Sequence, residues 1–199
     1  MIKHVTWAGL RAFAFATVIL LAACALTSVK TGAYTPSNSS YEVTLSGGWS
    51  DISQLMRARS PRVKLLSIDG PLLNRLYLAY ALRPGDYMLR PDNRETPTPL
   101  YRADMADTEL VEFIADNVSA LGYLRPETSN LRPQNFGAGP GVRFDITART
   151  SEGLDISGTA LVSRQGETLN AMLYLAPSEH YYAAHLADVE NIFTSARLR

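Results

Sequence analysis

Among the side chains able to do chemistry, three near the C-terminal end stand within eleven residues: Ser178, His185 and Asp188. They are the parts of a nucleophile, base and orienting acid, and triads assemble in space rather than in sequence. No G-x-S-x-G elbow accompanies them to expose a serine at a strand-to-helix turn. The other histidine of this region, His180, lies five residues before His185. On a helix, five steps of about 100° leave the two rings about 140° apart, so one metal does not take both. The glycine cluster "GAGPG", residues 137–141, has the composition of a phosphate cradle. Such cradles open a helix, whereas this one precedes a strand pattern, so it reads as a turn. These residues predict no metal, no cofactor and no enzyme.

The remaining chemistry belongs to the one thiol of the chain, Cys24. Residues 1–11 carry Lys3 and Arg11 with no acid, and residues 12–23 are uncharged, mostly apolar and end on small side chains. That layout is a secretory signal. Its apolar core of 12 residues falls short of the roughly 20 that span a bilayer as a helix. Within it, Leu21-Ala22-Ala23-Cys24 resembles the lipobox of bacterial lipoproteins. The resemblance implies cleavage between Ala23 and Cys24, a diacylglycerol on the Cys24 sulfur and a further acyl chain on its new amino group. One acyl chain holds a protein only marginally, whereas two or more make the anchor stable. Ala25 follows the cysteine where some lipoproteins carry Asp, which resembles the sorting choice for the outer membrane. The implied address is the bacterial envelope, lipid-anchored at the outer membrane and facing the periplasm.

Loss of residues 1–23 removes Lys3 and Arg11, leaving 176 residues with 17 Lys plus Arg against 19 Asp plus Glu, a net charge of −2. This balance argues against a nucleic-acid partner. With Cys24 acylated, no thiol is left for a disulfide, so stability must come from burial.

The elements that must position any site follow from periodicity. Residues 24–40 begin with the acylated cysteine and continue as small, polar, patternless chain, which predicts a flexible tether; 41–199 predict one domain. "YEVTL" reads as a strand, and "SGGWSDISQLM" as a glycine turn into one helical turn capped by Ser50 or Asp51. Trp49 reads as a packing anchor or, alternatively, a stacking platform. Residues 63–68 and 74–82 form a hairpin around Asp69-Gly70-Pro71. The second strand is apolar on both faces and belongs mid-sheet with a cover on each side. Residues 83–106, with four prolines, read as loop with at most a short strand at 87–89. "DTELVEFIADNVSALG" is a helix with Asp107 as cap, Gly122 as stop and a stripe of Leu110, Ile114, Val118 and Leu121.

After a second Pro- and Gly-rich loop, strands at 142–149, 154–164 and 168–176 form an antiparallel meander. A closing helix follows, capped by Ser178, with Tyr182, Leu186, Val189 and Phe193 facing the sheet. The fold class is therefore α+β, a single domain with helices packed on an antiparallel sheet. Three strands and a terminal helix over about residues 141–197 resemble the end of the PsbP/Mog1-like fold. That resemblance is of arrangement and transfers no site.

On the first meander strand, Arg143, Asp145, Thr147 and Arg149 turn to a single side. They form either a water-facing surface or a docking face for another envelope protein. The expected function is a non-enzymatic accessory module with an envelope protein partner. Its alternatives are a carrier of a small hydrophobic or envelope-derived ligand and, behind that, an envelope hydrolase. Cells fed radiolabelled palmitate are expected to label the native chain and not Cys24→Ser, and the variant is expected to leave the membrane fraction on washing.

Overall fold

The computed structural model describes residues 28–37, 39–56, 59–93 and 95–199. The signal segment, the lipobox and Cys24 lie outside them. Among the described residues, nine strands and two α-helices run in the order β1 (Ser28–Tyr34), β2 (Tyr41–Asp51), β3 (Val63–Ser67), β4 (Arg75–Leu82), α1 (Asp107–Ala120), β5 (Leu124–Pro133), β6 (Val142–Arg149), β7 (Asp155–Gln165), β8 (Thr168–Pro177), α2 (Tyr181–Thr194) and β9 (Arg197–Leu198). The sheet order is β1-β2-β3-β4-β8-β7-β6-β5, with β9 on β2. Every pairing is antiparallel.

Two apolar layers lie against the sheet. Tyr77, Ala79, Leu173, Phe144, Ile146 and Val162 face one side, where α1 brings Leu110, Phe113, Ile114 and Val118. Leu76, Leu78, Met172, Tyr174 and Leu161 face the other, against Trp49 of β2 and Val189, Ile192 and Phe193 of α2. Each such side chain contributes on the order of 1.5–3 kcal/mol when fully buried. The hairpin, the meander and both helices thus stand where periodicity puts them.

Several local readings differ from what forms. The tether expected over 24–40 yields a strand, because β1 pairs along β2 from Val29↔Ser50 to Tyr34↔Val43. Gly47 and Gly48 make no turn, since β2 runs through them. Gly47 is needed for close approach: a Cβ there would stand 2.9 Å from Asp188 Oδ2. β5 occupies the second supposed loop. It carries Pro126 and Pro133 and its register slips twice, which a terminal strand accommodates because its outer side has no ladder to break. Finally, α2 begins at Tyr181 rather than just after Ser178. The Ser178 amide instead donates to Asp155 O at 3.0 Å and prolongs the β7–β8 ladder.

The described residues of 83–106 form no helix or strand, but they are not loose. Met88, Leu89, Tyr101 and Met105 are buried against the α1 layer. Asn117 of α1 accepts the Leu89 amide at 2.7 Å. At the first turn of α1 the Glu109 carboxylate accepts the Ala106 N–H at 2.8 Å, so Ala106 rather than Asp107 stands at the cap.

In the middle of the β7–β8 ladder the backbone approaches closely at Gly158, where a Cβ would fall 2.5 Å from Leu175 Cδ2 and 2.8 Å from Tyr174 O. One of those neighbours is main chain and cannot rotate away. Gly158→Ala is expected to lower stability by about 2 kcal/mol, a fall of roughly 4–8 °C in melting midpoint for a domain of this size, measured by circular dichroism.

Candidate functional site

The triad pieces go to three different partners. Ser178 Oγ shares a hydrogen bond with Ser157 Oγ at 2.8 Å. His185 Nε2 meets Asp69 Oδ2 of the β3–β4 turn at 2.6 Å, and Asp69 also accepts from Asn74 Nδ2 at 2.6 Å. Asp188 accepts the Trp49 indole N–H at 2.7 Å and the Ser46 hydroxyl. These contacts tie α2 to β2 and to the β3–β4 turn rather than forming one nucleophilic centre. Trp49 is fully buried and meets Tyr174 edge to face at 6.4 Å, so it is an anchor of packing. His180 lies edge-on to Tyr181. Among the described residues no three His, Cys, Asp or Glu side chains gather to hold a metal.

The face expected along β6 is graded rather than uniform. Arg143 leaves it altogether, being 0% exposed. Its guanidinium lies 4.6 Å from the Phe193 ring centroid, under α2. It donates to Glu190 at 2.6 and 3.0 Å and to Thr159 Oγ1 at 2.7 Å. Strand periodicity puts Arg143 on the correct side of the sheet, and only the seating of α2 buries it. A buried guanidinium is tolerated because it is paired and fully hydrogen-bonded.

Asp145, two residues on, is half-buried and bridges strands. It accepts from Asn130 of β5 at 2.9 Å, from Arg132 at 3.4 Å and from Thr159 of β7 at 3.1 Å. Burial raises its carboxyl, yet the hydrogen bonds from Asn130, Arg132 and Thr159 and the charge of Arg132 outweigh it and hold it below the ordinary carboxylate value.

Thr147 and Arg149 emerge beyond α2 and are exposed. Both line an open groove of about 500 Å³ with Leu124, Arg125, Glu127 and Asp155. Arg149 Nε donates to Asp155 Oδ1 at 2.8 Å across the mouth. The groove exists because β5 bulges beside it: the register slips between Leu124 and Glu127, and Arg125 adopts φ +49°. A bulge of this kind re-aims side chains and stores of order 1 kcal/mol of strain at a non-glycine residue. Leu124 and, in the β6–β7 turn, Leu154 leave apolar surface beside it, 51% and 45% exposed.

The β5 half of this groove is absent from the sequence-level reading. A terminal strand exposed on nearly every residue has no apolar alternation to detect, and its prolines mimic a loop. The paired bulge is a tertiary feature with no local signal.

A second open cleft, of about 480 Å³, lies where the β3–β4 turn, residues 90–92 and the end of α1 meet. Leu55, Met56, Leu65, Pro71 and Leu121 give it an apolar lining, and Arg75, Arg90 and Asp92 supply charge. Arg75 lies 5.8 Å from the Tyr123 ring centroid and Arg90 4.5 Å from that of Tyr87. Among the described residues neither guanidinium has a carboxylate within 4.0 Å. The two spaces between the sheet and its helices are filled by side chains.

Comparison with solved structures places this architecture. Cyanobacterial PsbP (CyanoP) from Synechocystis sp. PCC 6803 matches with a TM-score of 0.57 at 13% identity, over 88% of this chain and 96% of that one. The Saccharomyces cerevisiae Ran-binding protein Mog1p matches with a TM-score of 0.53 at 9% identity, over 86% and 96%. A single-substitution variant of Mog1 matches with a TM-score of 0.52 at 8% identity, over 85% and 96%. The fold is PsbP/Mog1-like. The likeness extends across nearly the whole described chain, well beyond residues 141–197. No family model and no curated protein matches the chain by sequence.

The lowered Asp145 carboxyl gives a pH signature. A group whose pKa is depressed on folding contributes stability that is present above its unfolded value of about 3.9 and is lost as pH falls through the folded one. The urea midpoint of the native chain is expected to drop more steeply between pH 5 and pH 3 than that of Asp145→Asn.

Proposed function

We propose that this protein is an envelope lipoprotein, held by acylated Cys24 at the outer membrane and facing the periplasm, that works by binding a protein partner rather than by catalysis. The observation that carries the reading is the groove at the β5 bulge. It is a mixed surface, with apolar Leu124 beside Arg125, Glu127, Thr147 and Arg149, on the outer pair of strands of a rigid sheet. Such a surface suits recognition: the apolar residue supplies burial and the charged pairs select the partner. It offers no poised nucleophile or base.

The fold neighbours support this reading at the level of scaffold. The yeast neighbour is a Ran-binding protein, so one member of this architecture serves as a binding module, and the other is a cyanobacterial PsbP. The proposed interaction face follows the burial gradient along β6. Arg143 and Asp145 shape it from beneath, while Thr147 and Arg149 present it. The second reading, carriage of a small amphiphile, would use the Arg75–Arg90 cleft and not the packed interior.

A photo-crosslinking residue at Thr147 or Glu127 in living cells is expected to yield one protein adduct of constant mass, and the same residue at Ala183 on α2 none. Arg149→Glu is expected to reduce that adduct at least fivefold while leaving the melting midpoint within about 2 °C. No adduct at either groove position ends this reading.

A further inference from the structure

Cys24 and the first strand are separated by very little chain. β1 begins at Ser28, so four residue steps connect it to the acylated cysteine, at most about 14 Å when fully extended. A 16-residue tether would have reached on the order of 50 Å. The domain therefore has no freedom to stand off from its membrane, and the place where β1 starts decides which surface faces the lipid.

That place is one lateral edge of the sheet. Ser28 lies opposite Asp51 and Val29 opposite Ser50, which in turn faces Ser67 of β3. Asp51 leads within two residues into the single 3₁₀ turn Ser53–Leu55. Val29 is 66% exposed and Leu55 59% exposed, two large apolar side chains directed at solvent on this edge. Leu55 also borders the cleft that holds Arg75, Arg90 and Asp92; the two guanidinium groups lie 5.8 Å from the Tyr123 ring centroid and 4.5 Å from that of Tyr87, Arg75 Nε donates to Pro71 O, and neither has a carboxylate within 4.0 Å among the described residues. Apolar side chains that reach the acyl boundary, beside arginines at headgroup level, are the composition of an interfacial membrane contact. Arginine matches phosphate with paired donors.

We propose that this edge, comprising Val29, Leu55 and the Arg75–Arg90 cleft, seats directly on the phospholipid surface, with Val29 and Leu55 entering the interface and the two arginines meeting lipid phosphates. The inference rests on acylation of Cys24 and deepens that reading by adding an orientation. β5 lies five strand spacings from β3, about 24 Å across the sheet at roughly 4.8 Å each. The sheet stands on its β1–β3 side, and the groove of Thr147 and Arg149 is held away from the bilayer, where a periplasmic partner reaches it.

The test uses the mature acylated chain in vesicles of phosphatidylethanolamine and phosphatidylglycerol containing brominated lipid, with Val29→Trp, Leu55→Trp and, on β5, Leu131→Trp as probes. Fluorescence at positions 29 and 55 is expected to fall at least twofold more than at position 131. A ten-residue Gly/Ser insertion before Ser28 is expected to abolish that difference while the acyl mass on Cys24 persists. Equal quenching at all three positions on an acylated chain overturns the seating and leaves the anchor intact. A mass spectrum showing unmodified Cys24 overturns both. A crosslink from position 55 to another protein, with no quenching there, assigns the edge to a protein partner and also overturns it.

Discussion

Both faces of β4 and β8 are apolar, and this is the constraint from which the rest follows. Tyr77 and Leu173 look one way, Leu78 and Met172 the other, and every one of them is buried. A sheet with such a centre is stable only between two covers. α1 and residues 83–106 supply one and α2 with β2 the other, which explains why the Pro-rich segment is packed although it has no regular structure. The antiparallel meander then carries its outer strands past the covers, and there polar chemistry reaches water.

The gradient along β6 is the consequence with functional weight. Four polar side chains share one side of the strand, yet they pass from fully buried Arg143, clamped by Glu190 and Phe193 of α2, through half-buried Asp145 to open Thr147 and Arg149. The buried end holds α2 in register with the sheet. The open end lines the groove. One strand thus joins a structural ion pair to an open groove within eight residues. Because its backbone is paired on both sides, the groove wall it forms is rigid, while the bulged β5 supplies the irregular wall opposite.

The strand order gives the second layer of organisation. β1 and β5 stand at its opposite ends. Under the acylation of Cys24 proposed above, only four residue steps would join the anchor to β1, so the β1 end would be the one held near the lipid and the groove beside β5 would be left to a partner.

Much of this was legible from residue patterns alone. The hairpin at Asp69-Gly70-Pro71, the helix from Asp107 to the Gly122 stop, the meander and the closing helix each carry a strong local period, and local period reflects which face will be buried. The resemblance of residues 21–24 to a lipobox likewise rests on a contiguous pattern. What the sequence by itself determined, then, was the set of central elements and their two apolar faces. Tertiary structure alone decided that residues 28–34 pair as a strand, that β5 closes the sheet despite two prolines, that Gly47 lies in β2 against Asp188 of α2 rather than in a turn, and that Arg143 is interior. The physical reason is common to all four: edge strands and helix-covered polar side chains take their stability from neighbours distant in sequence, so their own residues carry no period that announces them.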